Sequence, residues 1–163
     1  MFVAACNPCP CGYYGTEKEC VCTAAQIQKY RSKLSGPIMD RIDLHVVVDA
    51  VDIKELNKLP EGENSLKIKE RVVVARDLQK KRFVDEKINY NSQMSEKHIK
   101  KYAKISNEAF DTLEAFHKKF KLSARSYMKI LKVSRTIADL EISETVTKKH
   151  ILEACQYRFD NIT

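Results

Sequence analysis

The spacing of apolar and polar positions divides the chain into two regions of different character. In the first region, an apolar segment at residues 2–5 stops at Asn7-Pro8, and apolar residues occupy alternate positions from 42 to 48. A short apolar run and a period of two are typical of β-strands. Between them, Thr23 can cap a helix whose apolar side is formed by Ile27, Tyr30 and Leu34. Gly36-Pro37 are predicted to end this helix. The first region is predicted to contain two short strands and a helix.

The second region, from about residue 65 to residue 160, has an almost continuous helical period. A serine or threonine precedes each of five apolar stripes and can cap the helix that bears it: Ser65, Ser95, Ser106, Ser123 and Thr147. Each predicted helix has only one apolar stripe, so the helices must pack on one another or on the first region. We therefore predict a small helical bundle.

The apolar residues of three of these helices give specific predictions about the core. The first helix, about 65–83, has Ile68, Val72, Ala75, Gln79 and Phe83 on one face. The third has an aromatic stripe that is more typical of a core than of a ligand site, formed by Ala109, Phe110, Leu113, Phe116 and Phe120. In the fifth helix, Cys155 is predicted to be a buried small apolar residue.

The boundary between the regions lies at residues 57–64, where Pro60 and Gly62 stand among charged residues and indicate a linker. We expect a first domain over 1–56 and a helical domain over 65–163. The predicted fold class is α+β and mostly α.

Composition limits the class of protein. The chain has 29 Lys+Arg against 22 Asp+Glu, a formal net charge of +7. This charge fits a polyanionic partner such as nucleic acid, and it equally fits the solvated surface of a lysine-rich soluble protein. No apolar run approaches the roughly 20 residues of a membrane span, and the first residues lack the features of a signal peptide. We expect a cytoplasmic protein without a membrane partner.

Five of the six cysteines lie within residues 6–22, whereas a disulfide framework would be spread through the fold. Cys9 and Cys11, with Cys20 and Cys22, offer the four thiolates of a tetrahedral structural zinc site. The C-x-C spacing is tighter than the usual C-x2-C, and Cys6 is a competing fifth thiol. Structural zinc and reduced free cysteines are therefore both open from the residues alone.

Two polar residues adjoin the predicted strands. Asn7 follows the first one, where a side-chain amide could hold a water or a phosphate oxygen, although Asn7-Pro8 also fits an ordinary turn. Arg41 immediately precedes the second one, and its local sequence favours an ion pair with Asp40 or Asp43.

Arg125 lies in the first turn of the helix that Ser123 is predicted to cap. The helix dipole disfavours a cation there, while a helix N-terminus together with an arginine suits a phosphate. A solvated arginine is the alternative, because the dipole penalty is small.

The order and spacing of several segments resemble the magnesium-chelatase-like AAA+ ATPases of the ComM/YifB type. The resemblance covers nearly the whole chain and is carried by residues 3–12, 20–23, 27–31, 35–45, 91–94, 122–127 and 135–140. It implies that the first domain is the C-terminal part of an AAA+ core with a cysteine-rich loop, and that the helical domain is its lid.

The resemblance also implies roles for the residues singled out above. Asn7 would be the sensor-1 residue that orients the attacking water, Arg41 the arginine finger that reaches a neighbouring subunit's nucleotide, and Arg125 the sensor-2 arginine that binds nucleotide. Such groups act electrostatically on charge that develops during phosphoryl transfer. Family membership would imply a hexameric ring and DNA as a partner, with branch migration during natural transformation as the activity of its ComM members.

Two substitutions and two absences depart from the family pattern. Cys6 stands where methionine is expected, and Met128 where histidine is frequent. No G-x-x-x-x-G-K-[ST] motif occurs in the sequence, and no apolar strand ends in the paired acids that would hold magnesium. We therefore expect ATP and magnesium to bind only in a longer parent protein, and this chain alone not to hydrolyse ATP. The alternative is a self-contained, zinc-stabilised helical module that binds nucleic acid.

Overall fold

Local capping chemistry starts the first helix of the protein. In the computed structural model, which describes residues 1–34, 36–48 and 62–159, α1 spans Ala24–Arg31. The Thr23 hydroxyl accepts the Gln26 N–H at 3.3 Å, and the Gln26 side chain accepts the Thr23 N–H at 2.8 Å. This reciprocal pair satisfies two amides that have no partner inside the helix. The predicted helix at Thr23 is confirmed.

The predicted end of that helix is wrong. α1 stops at Arg31, and Gly36-Pro37 begin a second short helix, α2, which spans Gly36–Met39. Proline fits the first turn of a helix because the N–H that it lacks would have no intrahelical partner there. Proline therefore marks a helix start here, and Leu34 lies outside both helices.

The two predicted strands are also wrong in detail. Within the described residues, neither 2–5 nor 42–48 forms a paired strand, and the β pairing seen is an isolated parallel bridge between Ile105 and Val146. A strand requires a neighbour for its N–H and C=O groups. The described residues supply no neighbouring strand, and five apolar side chains of these segments are between 61% and 85% exposed: Phe2, Val3, Val46, Val47 and Val48.

All five helices predicted in the second region are present. They are α3 (Ser65–Arg82), α4 (Glu96–Tyr102), α5 (Asn107–Phe120), α6 (Ala124–Leu140) and α7 (Lys148–Phe159), with one 3₁₀ turn at Asn91–Gln93. Side chains of Ser95, Ser106 and Ser123 cap α4, α5 and α6 as predicted. In α3, the cap is Asn64 and not Ser65, with its side-chain oxygen 2.9 Å from the Leu66 nitrogen. The mostly helical fold class is confirmed.

The described residues fall into two units. The first comprises 1–42 with 47–48, and the second comprises 43–46 with 62–159. Residues 57–61 of the predicted linker lie outside the described residues. The second unit holds the hydrophobic core, to which α4–α7 contribute together with Phe83, the C-cap residue of α3; its members include Ile99, Leu113, Ile130 and Ile151. Each side chain of this size stabilises the fold by roughly 1.5–3 kcal/mol when fully buried.

The predicted stripes are buried only over part of their length. Cys155 is 2% exposed, as predicted, and Ala75, Gln79 and Phe83 of the first stripe are also buried. Ile68 and Val72, at the other end of the first stripe, are 42–43% exposed, and Phe110 and Phe120 of the aromatic stripe are 42–47% exposed. Helical period identifies the apolar face of a helix, whereas the neighbouring helices determine how far along that face the core extends.

A charged network lies inside this core. The carboxylate of Asp139 on α6 accepts from both terminal nitrogens of Arg82, from Nε of Arg135 at 3.1 Å and from the amide of Asn91 at 2.8 Å. Arg135 also donates to the backbone carbonyls of Ser143 and Glu144. Asp139 and Arg135 are fully buried, and these donors satisfy the charges. The network joins α3, α6 and the α6–α7 loop.

Candidate functional site

The cysteines at 9, 11, 20 and 22 converge in the first unit. Their four sulfurs lie within 4.8 Å of one another. Sγ of Cys9 is 3.3 Å from that of Cys11 and 3.7 Å from that of Cys20, while Cys11 and Cys20 are 3.5 Å apart. Four sulfurs at 2.3 Å from a tetrahedral zinc ion would be about 3.8 Å apart. The donor set and its dimensions therefore fit a four-thiolate metal centre.

A glycine turn brings the first pair of thiols together. Gly12 has φ +85°, a backbone conformation that disfavours a residue with a Cβ, and its N–H donates to the Cys9 carbonyl at 3.1 Å. This turn reverses the chain after Cys11. The N–H of Tyr14 then points at the Cys9 sulfur, 3.4 Å away. Backbone amides thus face the buried side of the cluster, where they stabilise negative charge on sulfur.

The cluster has unequal thiols. A hydrogen bond from the Tyr13 backbone lowers the pKa of Cys11 to about 6, while burial, together with the neighbouring Cys11 charge, raises the pKa of Cys22 to about 12. The Cys11 thiolate therefore forms readily and opposes ionisation of Cys20 and Cys22. A divalent cation would remove this opposition, because metal binding and thiol deprotonation are coupled.

Cys6, the competing thiol, is exposed and is not one of the four. Asn7 is also exposed and lies beside the cysteine loop: a Cβ at Gly12 would be 3.7 Å from its amide nitrogen. The side chain of Asn7 is therefore accessible at the edge of the candidate metal centre.

Arg41 lies two residues after the end of α2 and belongs to the first unit. Its side chain is exposed, and Nη1 donates to the Pro37 carbonyl at 2.7 Å. Asp43, one of the two acids predicted to pair with it, pairs with Lys129 at 2.7 Å. The guanidinium is thus tethered to the backbone of α2 through one nitrogen and presents its other donors to solvent.

Arg125 belongs to the second unit, as the second residue of α6. It is exposed and lies in the first turn, where the Ser123 hydroxyl caps the helix by accepting the Ser126 N–H at 3.1 Å. This is the position predicted from the sequence. An exposed arginine at a helix N-terminus adds its charge to that of the free amides and suits a phosphate group.

Arg158 is a residue that the sequence analysis missed. It is 6% exposed, and its Nη2 donates to the Ser126 hydroxyl at 3.2 Å, beneath the first turn of α6. The signal that could have found it is its position seven residues after Ile151 and three after Cys155, on the buried face of α7. A second arginine therefore supports the turn that carries Arg125.

The structure thus brings together the four predicted cysteines, with Asn7 beside them, in the unit that also carries Arg41. Arg125 is in the other unit. Among the residues that the structure describes, no helix combines the length and the apolar character needed to cross a membrane.

Comparisons with known proteins cover both regions. Residues 1–56 match the family model described as magnesium chelatase, subunit ChlI, and residues 62–158 match the one described as magnesium chelatase, subunit ChlI C-terminal.

Individual relatives align over nearly the whole chain. The competence protein ComM of Haemophilus influenzae is 39% identical over 160 residues, and YifB of Escherichia coli is 37% identical over 160 residues. Each alignment covers 97% of this chain and 30% of the relative. The protein Rv2897c of Mycobacterium tuberculosis is 30% identical over 140 residues, which are 86% of this chain and 27% of that protein. The chain therefore spans less than a third of the length of these relatives.

Proposed function

The chain belongs to the magnesium chelatase ChlI family, and we propose that it is the C-terminal part of a longer AAA+ ATPase of the magnesium-chelatase-like type. The observation that carries the proposal is the succession of two family matches along a chain that is 30% of its relatives' length. In this proposal, residues 1–56 complete the nucleotide-binding core, 57–64 form a linker and 65–163 form the helical lid. The P-loop and the magnesium-binding acids belong to the preceding part of the longer protein.

Three polar residues would act on the nucleotide of that longer protein. Arg125 would bind phosphate in its own subunit, Arg41 would reach the nucleotide of a neighbouring subunit, and Asn7 would orient the attacking water. The exposure of all three side chains supports these roles, because each must meet a ligand from outside its own unit. Fixed positive charge near the γ-phosphate stabilises the charge that shifts onto its oxygens in the transition state.

The substrate of the motor would be DNA. One relative is named a competence protein, and the net charge of +7 favours a polyanion. We propose a ring of identical subunits that uses ATP turnover to move DNA strands, of the branch-migration type. The basic surface of this chain would contact the phosphate backbone.

The four-cysteine cluster would hold a structural zinc ion through Cys9, Cys11, Cys20 and Cys22. In the part of the first unit that the structure describes, residues 1–23 form no helix, and Cys9 is the one buried residue among them. A bound metal would supply the folding free energy that such a loop cannot obtain from a core. Zinc would have no part in ATP hydrolysis.

The decisive experiment concerns the longer protein. If the reading frame continues upstream into a G-x-x-x-x-G-K-[ST] motif, the assembled protein should hydrolyse ATP, whereas the 163-residue chain alone should not. Arg41→Ala should abolish turnover while nucleotide binding persists, and the exposed Arg71→Ala is the matched control that should retain turnover.

Two results would contradict the proposal. Wild-type turnover in the Arg41→Ala protein would remove the finger assignment. An upstream sequence without a P-loop would favour the other candidate, a self-contained zinc-stabilised module that binds nucleic acid.

A further inference from the structure

A short segment before the helical domain is attached to that domain by two contacts. Residues 43–46, here called the strap, belong to the second unit. Oδ1 of Asp43 is 2.7 Å from Nζ of Lys129 on α6, and the backbone N–H of His45 donates to the Tyr157 carbonyl on α7 at 2.8 Å. One contact is an ion pair and the other is a main-chain hydrogen bond, so the strap is attached at Asp43 and at His45.

Both contacts use groups that gain from a partner. The Lys129 side chain is only 14% exposed, so its ammonium is partly shielded from water and its attraction to Asp43 is stronger than between two fully exposed charges. The Tyr157 carbonyl is one of the last four carbonyls of α7, which accept no hydrogen bond from an N–H of the same helix. The strap therefore satisfies a charge on α6 and a helix end on α7.

Each residue of the Asp43–Lys129 pair lies close in the sequence to one of the two arginines that are proposed to contact nucleotide. Lys129 is four residues after Arg125 on α6, so the two side chains leave the same face of the helix one turn apart. Asp43 is two residues after Arg41, and two residues of chain span at most about 7 Å. The Asp43–Lys129 pair thus connects the segment that carries one arginine to the helix face that carries the other.

We propose that Asp43 and Lys129 are positioning residues. They couple the lid of a subunit, which carries Arg125, to the arginine finger Arg41, which the same subunit extends to the nucleotide of its neighbour. When α6 moves with Arg125 onto a bound nucleotide, the strap transmits the displacement to the chain at Arg41. The inference rests on the proposed function, since it assigns a coupling role between two arginines named there.

The first arm of the test uses the 163-residue chain and does not depend on ATPase activity. Amide hydrogen exchange, followed by NMR, should show the His45 N–H protected. Asp43→Ala should accelerate its exchange about three- to fivefold, and Asp43→Glu, which keeps the charge, should restore protection. Asp77→Ala removes an exposed ion pair on α3 and should leave His45 unaffected. An unprotected His45, or one that exchanges at the same rate in the Asp43→Ala chain, would overturn the strap.

The second arm uses the longer protein. Asp43→Ala should lower maximal ATP turnover about threefold or more with an unchanged KM for ATP, because binding groups remain while the finger is displaced, and Asp43→Glu should recover it. If Arg41→Ala abolishes turnover but Asp43→Ala turns over at the wild-type rate, the coupling fails and the proposed function stands. If Arg41→Ala itself has wild-type turnover, the proposed function fails.

Discussion

Arg82 of α3 and Asp139 of α6, 57 positions apart in the sequence, form a two-pronged ion pair whose carboxylate is completely buried. Arg135 and Asn91 complete the set of donors around the same carboxylate. A buried charge with all its partners present is tolerated, whereas removal of one partner leaves an uncompensated charge in a medium of low polarity. This pair therefore makes the helical unit sensitive to a single isosteric substitution.

Asp139→Asn should lower the free energy of unfolding by about 3–5 kcal/mol, because two guanidinium groups lose their counter-charge inside the core. Urea denaturation of the 163-residue chain measures the effect. Asp77→Asn on α3 is the matched control: its pair with Lys80 is exposed, so a change within about 1 kcal/mol is expected. If the two substitutions lower the free energy of unfolding equally, the buried network contributes no more to stability than an exposed ion pair.

Ile142→Gly should stabilise the protein. Ile142 follows the C-cap of α6 at φ +56°; its N–H donates to the Asp139 carbonyl, and the Ser143 N–H donates to Ala138. This is a Schellman motif, in which glycine is preferred because a Cβ costs roughly 1–2 kcal/mol in the left-handed region. After the entropy of glycine in the unfolded chain is subtracted, a gain of about 0.5–1 kcal/mol remains.

Thermal denaturation checks this gain, and Ile142→Ala is the control. Alanine removes the same exposed side chain but keeps the Cβ, so it should give little or no stabilisation. A glycine variant that melts at or below the wild-type temperature would contradict the strain argument.

The 163-residue chain, purified under reducing conditions, should contain one zinc ion. Cys22→Ser should reduce the zinc content, because it removes one of four converging sulfurs, whereas Cys6→Ser should leave it at one ion per chain. Metal analysis by mass spectrometry distinguishes the two variants. Loss of zinc in both variants would indicate that Cys6 is a zinc ligand. Absence of zinc from the wild-type chain would indicate that the four cysteines are reduced thiols without a metal.

Glu86 should contribute to acid stability. Hydrogen bonds from the Tyr102 hydroxyl, at 2.7 Å, and from Lys101, at 2.9 Å, lower the pKa of Glu86 from 4.5 to about 2. A carboxyl group with a depressed pKa stabilises the folded state above the unfolded pKa, and this contribution is lost as the pH falls through the folded value. Wild type should therefore be more stable than Glu86→Gln near neutral pH, and the difference should shrink between about pH 4.5 and pH 2.

Denaturant titrations at several pH values in that window test this assignment. The exposed Glu70→Gln variant is the control and should show no comparable pH-dependent difference from wild type. A difference between wild type and Glu86→Gln that stays constant down to pH 2 would contradict the role of these hydrogen bonds.

Helix starts were predictable because the chemistry that sets them spans three or four residues. The Ser95, Ser106 and Ser123 caps form as expected, and the error at α3 is one residue, between two side chains that both cap helices well. The end of α1 was wrong because proline fits both a helix terminus and a first turn. Local chemistry permits both outcomes there.

Some residues of the candidate sites were also predictable from local sequence, and others were not. The sequence singled out the four cysteines and Arg125 because each stands in a short pattern with its own chemical meaning. It did not indicate that Cys6 lies outside the cluster, or that Arg158 supports the first turn of α6, because these facts depend on distances between segments far apart in the chain.

The sequence by itself determined the helices of the second region, the caps of three of them, the apolar face of each and the family to which the chain belongs. The tertiary structure decided how far each face is buried, whether the apolar segments at 2–5 and 42–48 pair as strands, and that Asp139 joins Arg82 while Asp43 joins Lys129. The physical reason is range: capping and helical period act within a few residues, whereas burial and ion pairing depend on which surfaces the folded chain brings together.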